Sequence, residues 1–131
     1  MFFSSPKSFY LKSVLIVDDD ESFRLSLKKL LIKAGYQVDA VASLAEAINS
    51  LKRQDFGLVI SDYLLSHTTS LDLLKHLMRM HSKVKTIIIT AYGDDQVRSI
   101  CQKAGAFRII DKPVKKELLL QIVEQAFSVS A

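Results

Sequence analysis

The sequence of 131 residues has little of what marks a secreted or membrane-spanning chain. Its one cysteine, Cys101, can form no internal disulfide, which favours a reducing cytoplasm as the location. No apolar run approaches the roughly 18 residues that predict a membrane-spanning helix. Residues 1–6 lack the charged start and the apolar stretch of a secretory signal. We therefore expect a cytoplasmic protein that does not enter a membrane.

The sequence also has few residues that interrupt regular structure, with only two prolines and four glycines. Together with a hydrophobic content of 49%, this favours a single compact domain with a substantial core. The net charge of +4 is compatible with nucleic-acid binding, but lysine and arginine occur in ones and twos with acidic residues between them. We therefore expect solvated helix faces and no direct contact with nucleic acid.

Five short segments have the pattern of strands. Four are apolar runs of the kind found in buried strands, and residues 36–41 alternate between apolar and polar residues. The five segments are residues 14–17, 36–41, 56–61, 84–89 and 107–110. Between the segments, apolar residues recur at helical spacing, and the inner faces of the third, fourth and fifth helices are predicted to include Met78, Ile100 and Leu118. The predicted helix starts are at Asp20, Ser43, Thr69 or Ser70, Asp94-Asp95 and near Lys115.

Strands that alternate with helices through short links predict right-handed βαβ units. The predicted fold is therefore α/β, with one five-stranded parallel sheet covered by five helices. We expect residues 1–12 to form a flexible tail, residues 13–127 to form the domain, and residues 128–131 to form a second tail. Residues 63–70 are predicted to form a loop.

Polar residues cluster at the carboxyl ends of the predicted strands, where ligands bind to sheets of this kind. They are Asp18, Asp19, Asp62, Thr90 and Lys112. Carboxylates, a hydroxyl and an ammonium together suit a phosphoryl group and Mg²⁺, since Mg²⁺ prefers oxygen ligands and one or two carboxylates. Asp62 is then the candidate nucleophile, and it would hold an acyl phosphate.

Each of these residues alone also has a structural explanation. The acidic run Asp18 to Asp20 can offset the dipole of the first helix, and Thr90 can serve as a strand former. Lys112 can be a solvated loop lysine, and Asp62 can be a helix cap or turn residue. Their shared position at strand ends favours a common site, with Asp20 left as the helix cap.

The sequence resembles the receiver domain of bacterial two-component response regulators from about Ser13 to Phe127. The motifs that carry this resemblance are Val17-Asp18-Asp19-Asp20, Ile60-Ser61-Asp62, Ile89-Thr90-Ala91, Gly105-Ala106 and Lys112-Pro113. The resemblance implies a flavodoxin-like strand order of 2-1-3-4-5 and phosphorylation of Asp62. It also implies that Asp18, Asp19, Asp62 and the backbone carbonyl of Leu64 bind Mg²⁺. Lys112 and Thr90 would contact the phosphoryl group, and the Lys112-Pro113 bond would be cis.

The resemblance further implies partners and an output surface. A sensor histidine kinase or a phosphotransfer protein would supply the phosphoryl group, and a downstream effector domain or protein would receive the signal. The surface of the fourth helix, fifth strand and fifth helix would switch and could form a homodimer. Arg98, Arg108 and Lys116 lie on this surface, where the pattern favours solvated charge. Such a protein is a signalling domain and not an enzyme, either stand-alone or cut from a larger transcriptional regulator.

Several residues depart from the family pattern. Family members often carry Met-Pro after the acceptor aspartate and a glycine at the end of that loop, where this chain has Leu65-Ser66 and Ser70. Ile109 stands where an aromatic switch residue is common, so signal transmission is expected to be weakened or rerouted. Leu64 and Tyr92 are bulky, and we expect them to limit hydrolytic water and lengthen the phosphorylated lifetime.

Two other classes of function are compatible with the fold. One is an interaction module of the same fold that is never phosphorylated, which the altered loop and Ile109 keep open. The other is an enzyme or cofactor binder on a flavodoxin-like sheet. The acidic loop after the first strand disfavours a flavin phosphate, and Leu64 stands where a dedicated phosphatase would need a second acid.

Overall fold

The five predicted strands form one parallel sheet in the computed structural model, which describes residues 12–91 and 93–128. In chain order, the elements are β1 (Ser13–Val17), α1 (Glu21–Lys33), β2 (Gln37–Val41), α2 (Leu44–Arg53), β3 (Leu58–Asp62), β4 (Leu64–Leu65), β5 (Thr68–Thr69), α3 (Ser70–Arg79), β6 (Lys85–Thr90), α4 (Asp95–Lys103), β7 (Arg108–Asp111) and α5 (Lys116–Ser128). The sheet order is β2-β1-β3-β6-β7, which confirms the predicted order 2-1-3-4-5. Within the described ranges, every helix is too short or too polar to cross a bilayer.

Capping side chains fix where the helices begin. The carboxylate of Asp20 accepts a hydrogen bond from the backbone N–H of Phe23, and Asp94 accepts one from Val97 in the same way. Each bond satisfies an N–H group that has no partner inside its helix. Ser43 and Thr69 cap α2 and α3, so the predicted helix starts are confirmed, with Thr69 as the cap of the third.

The sheet is buried on both faces because its strands alternate toward two different sets of helices. Val14 and Ile16 of β1 pack in the cluster that includes residues of α1 and α5, whereas Leu15 and Val17 pack with residues of α2 and α3. All four side chains are fully buried. This explains why β1 is apolar at every one of these positions, since neither of its faces meets water.

The segment 63–70 is not a simple loop, and that prediction was wrong. Leu64–Leu65 and Thr68–Thr69 pair as a two-stranded antiparallel hairpin, with Ser66 and His67 at its turn. His67 has a φ of 69°, a left-handed backbone conformation that residues other than glycine seldom adopt. The hairpin projects from the carboxyl edge of the main sheet, immediately after Asp62.

Three apolar residues predicted on inner helix faces are largely exposed. Met78, Ile100 and Leu118 have 57%, 39% and 44% of their surface exposed, so these predictions were wrong. Met78 and Leu118 each lie next to a buried leucine, and adjacent helix positions differ by about 100° in direction. Each therefore falls beyond the edge of the buried stripe. Leu73, which we did not predict, is fully buried instead.

Truncating a central strand residue should show how much the core stabilises the domain. Ile60 is fully buried in β3, so Ile60→Ala should lower the free energy of unfolding by about 3 kcal/mol through lost burial and a cavity. Urea denaturation measures this value. The matched control is Ile32→Ala on α1, where the side chain is 52% exposed and the loss should be small. Equal losses in the two variants would contradict the assignment of the core.

Candidate functional site

Three carboxylates meet at the carboxyl edge of the sheet because β1 and β3 are neighbours in register. Val17 pairs with Ser61, so Asp18 and Asp62 leave adjacent strands at the same level. Asp19 follows directly in the chain, and one carboxylate oxygen from each of the three aspartates lies within 4.8 Å of the others. The structure therefore brings together the three carboxylates that the sequence placed at one site.

Burial at the edge of the sheet makes the ionised forms of two of these carboxylates unfavourable. Asp18 is only 2% exposed, and burial raises the pKa of its carboxyl from 3.8 to about 6, with a further increase from the nearby Asp62. A hydrogen bond of 2.8 Å from the backbone N–H of Asp20 to Asp18 Oδ1 opposes that increase. Burial also raises the pKa of Asp62, against the lowering effect of Lys112. The site thus favours a cation.

Lys112 follows β7, the last strand of the sheet, and its side chain extends to the acidic cluster. Its Nζ lies 3.3 Å from Asp62 Oδ1 and 5.6 Å from the ring centroid of Phe23 on α1. The backbone N–H of Lys112 donates to the carbonyl of Thr90 at 2.8 Å, and the bond between Lys112 and Pro113 is cis, as the resemblance implies. The ammonium group is therefore held beside the candidate nucleophile.

Thr90 and Leu64 both lie close to Asp62 along the strand edge. Thr90 is 3% exposed and ends β6, one residue beyond Ile89, which pairs with Asp62 in the sheet. Leu64 begins β4, and its side chain is 64% exposed. The roles of the Leu64 carbonyl and of the Thr90 hydroxyl stay predictions. Tyr92, the other residue expected to limit water access, lies outside the described residues.

Three contacts at the site were not predicted from the sequence. Arg24 Nη1 donates to the backbone carbonyl of Asp18 at 2.7 Å, and the ring of Phe23 lies next to Lys112. Both residues are in the first turn of α1, so the predicted helix start at Asp20 could have placed them beside the site. Ser66 Oγ donates to Asp19 Oδ2 at 2.9 Å from the hairpin turn. No local pattern indicates that contact, because 47 positions separate the two residues.

The surface formed by α4, β7 and α5 contains an ion pair that the sequence did not indicate. Arg98 Nη2 lies 2.6 Å from Asp111 Oδ1, and Arg98 Nη1 donates to the backbone carbonyl of Ile109 at 3.3 Å. The interpretation of Arg98 as solvated charge was therefore wrong. Arg108 stacks on the ring of Phe107, with its guanidinium carbon 4.6 Å from the centroid, and Lys116 is exposed.

The loop departures have different structural consequences. Ser66 is exposed and makes the contact with Asp19, whereas Ser70 is fully buried at the start of α3. The Ser70 hydroxyl has no hydrogen-bond partner among the described residues. A buried hydroxyl without a partner is unfavourable for folding, so this serine lowers stability relative to a smaller residue.

The residues of the cluster suit Mg²⁺. All three side chains offer carboxylate oxygens, which hard divalent cations prefer over nitrogen or sulfur ligands. Asp18, Asp19 and Asp62 would hold the ion at the open end of the sheet, and its charge would offset the mutual repulsion of the carboxylates. Lys112 remains beside Asp62 as a second positive charge.

A flavodoxin-like parallel sheet with an acidic cluster and a lysine at its carboxyl edge is the arrangement of a class of α/β signalling domains. The family model of the response regulator receiver domain matches residues 14–124. The chain belongs to this family.

Two transcriptional regulators are among the proteins that are similar to this chain. The chain is 31% identical over 118 residues to the transcriptional regulatory protein GlrR of Escherichia coli K12, covering 90% of this chain and 27% of that protein. It is 29% identical to the transcriptional regulatory protein FixJ of Bradyrhizobium diazoefficiens, covering 86% of this chain and 55% of that protein. The chain thus spans a quarter to about half of the length of these relatives.

Solved structures show the same fold. A CheY-like receiver domain protein from Methanospirillum hungatei has a TM-score of 0.84 and 29% identity, with coverage of 89% of this chain and 94% of that one. The beryllofluoride-activated NtrC4 receiver domain dimer has a TM-score of 0.84 and 28% identity, with coverage of 89% and 97%. The flavodoxin-like receiver fold is therefore confirmed.

Proposed function

We propose that this receiver domain accepts a phosphoryl group on Asp62 from a sensor histidine kinase or a phosphotransfer protein. Asp18, Asp19, Asp62 and the backbone carbonyl of Leu64 would bind Mg²⁺. The observation that carries the proposal is the position of Lys112 Nζ, 3.3 Å from Asp62 Oδ1, beside a cluster of three carboxylates. A nucleophile, a metal site and a positive charge for the phosphoryl oxygens thus meet at one point.

Each residue has a defined part in the transfer. A carboxylate oxygen of Asp62 attacks the phosphorus and forms the new O–P bond, while the N–P bond to the donor histidine breaks and its electron pair returns to the ring. Lys112 donates a hydrogen bond to a phosphoryl oxygen, and the Thr90 hydroxyl donates another. Asp18, Asp19 and Asp62 would hold Mg²⁺, which would supply positive charge to the phosphoryl oxygens. The product is an aspartyl phosphate.

The output side of the proposal concerns α4, β7 and α5. Phosphorylation of Asp62 would draw Thr90 and Lys112 toward the new group, and both residues lie at the ends of strands that border this surface. The surface would then bind a downstream effector domain or protein, or a second copy of the chain. Dimer formation has a parallel in the beryllofluoride-activated NtrC4 receiver domain, which is a dimer. We propose a cytoplasmic signalling role without independent enzymatic activity, within a stand-alone regulator or a longer transcriptional regulator.

A small phosphodonor tests the proposal directly. After incubation with Mg²⁺, intact-mass measurement should show one added phosphoryl group on the wild-type protein and none on Asp62→Asn. The matched control is Asp39→Asn, which removes an exposed carboxylate on β2 and should be modified as the wild type is. No addition to the wild type, or equal addition to Asp62→Asn, would leave the non-phosphorylated interaction module as the better account.

A further inference from the structure

The turn of the β4–β5 hairpin reaches back to the acidic cluster through one side chain. Ser66 Oγ donates a hydrogen bond of 2.9 Å to Asp19 Oδ2. The antiparallel pairing of Leu64 with Thr69, and of Leu65 with Thr68, fixes the position of this turn relative to Asp62. The contact is therefore set by the folded hairpin and not by a flexible loop.

The three aspartates of the cluster are restrained in different ways. Asp18 is buried, and its carboxylate accepts a hydrogen bond from the backbone N–H of Asp20. Asp62 ends a central strand and is paired with Lys112. Asp19 is exposed at the edge of the cluster, where an unrestrained side chain would sample several rotamers. The hydroxyl of Ser66 supplies a restraint at this position.

We propose that Ser66 is a positioning residue for the metal site, which holds the carboxylate of Asp19 in the orientation that binds Mg²⁺. This inference rests on the proposed function. Carboxylates that bind metals are themselves commonly held by hydrogen bonds, and loss of such an outer partner typically weakens metal binding by about 10- to 100-fold. The Ser66 hydroxyl donates to Oδ2 of Asp19, so Oδ1 keeps both of its lone pairs for a metal ion.

The position is informative because Ser66 is one of the departures from the family pattern. Proline, which family members often carry here, has no hydroxyl and cannot make this contact. The same hairpin also begins with Leu64, whose carbonyl is proposed to bind the ion. One short hairpin would then contribute to the metal site twice, once through its backbone and once through Ser66.

Calorimetric titration of the metal-free protein with MgCl₂ tests the inference without any phosphodonor. Ser66→Ala should weaken Mg²⁺ binding by about 10-fold, and Ser66→Thr, which keeps a hydroxyl, should restore most of the affinity. Thr68→Val is the matched control, because it removes a hydroxyl of the same hairpin that donates to Asp72, outside the cluster. Its Mg²⁺ affinity should equal that of the wild type.

A second measurement separates positioning from a loss of structure. The Mg²⁺ concentration that gives half-maximal phosphorylation should rise in Ser66→Ala, while the maximal rate at saturating Mg²⁺ stays at the wild-type value. Urea denaturation without metal should give Ser66→Ala and Thr68→Val similar free energies of unfolding. Equal Mg²⁺ affinity in Ser66→Ala and the wild type would overturn the inference alone. Failure of the wild type to bind Mg²⁺ would overturn the proposed metal site as well.

Discussion

Replacing Asp18 with asparagine should abolish Mg²⁺ binding and, at pH 7, make the metal-free protein more stable. The first effect follows because asparagine lacks the negative charge that Asp18 brings to the centre of the cluster. This change is larger than the loss of a residue that only hydrogen-bonds to a metal-binding side chain, which lowers metal affinity by about 10- to 100-fold. The second effect follows because a buried carboxylate beside another carboxylate is unfavourable unless a cation is bound. The same side chain thus costs stability and provides function.

The pH dependence of stability follows from the raised pKa of Asp18, which is about 6 in the folded state against 3.8 for a free side chain. The folded protein therefore binds this proton more tightly than the unfolded chain does. The protonated Asp18 carboxyl therefore stabilises the folded state. This contribution is fully present below pH 3.8 and is lost as the pH rises through about 6. Above that value, ionised Asp18 costs about 3 kcal/mol, which the neutral asparagine avoids.

Urea denaturation of the metal-free proteins between about pH 4 and 8 measures this effect. The difference in stability between Asp18→Asn and the wild type should grow as the pH rises through about 6 and then level off. Saturating Mg²⁺ should stabilise the wild type and leave Asp18→Asn unchanged. The control Asp39→Asn, on an exposed strand position, should follow the wild type throughout. A pH-independent difference would show that burial does not govern the titration of Asp18.

Local patterns in the sequence were sufficient to predict the strands and the polar residues at their carboxyl ends, whereas the strand order came from the family resemblance. An apolar run such as Val14 to Val17 marks a strand that is buried on both faces, and the polar residue after it must lie at the carboxyl edge. The order of the strands, which the family resemblance implied and local patterns do not show, then brings the strand ends at Asp18 and Asp62 together. Lys112 follows the same rule, since it comes directly after β7.

The features that were missed depend on contacts between distant segments. Ser66 and Asp19 meet only because the hairpin folds over the edge of the sheet, and the pattern of residues 63–70 does not show that hairpin. Arg98 pairs with Asp111 across two elements, so its partner was not visible in the helical pattern around it. The same arginine also holds α4 to the backbone of Ile109, where an aromatic switch residue is common in the family.

Replacing Lys112 with methionine should move phosphorylation and metal binding in opposite directions. Loss of the ammonium group removes the hydrogen bond to the phosphoryl oxygens, so transfer to Asp62 should slow by roughly 100-fold or more. The same loss removes a positive charge that repels Mg²⁺ from the neighbourhood of Asp62, so Mg²⁺ should bind about 10-fold more tightly, which corresponds to roughly 1.4 kcal/mol. A residue that only stabilised the fold would weaken both processes.

The two effects of Lys112→Met can be measured on the same protein at a pH where Asp62 is ionised. Intact-mass time courses with a small phosphodonor give the transfer rate, and calorimetric titration gives the Mg²⁺ affinity. Lys115→Met is the matched control, because Lys115 is exposed and lies a short way further along the chain. It should change neither quantity. Weaker Mg²⁺ binding in Lys112→Met would contradict the prediction. It would mean that the Lys112 ammonium holds the carboxylates in place more than it repels the ion.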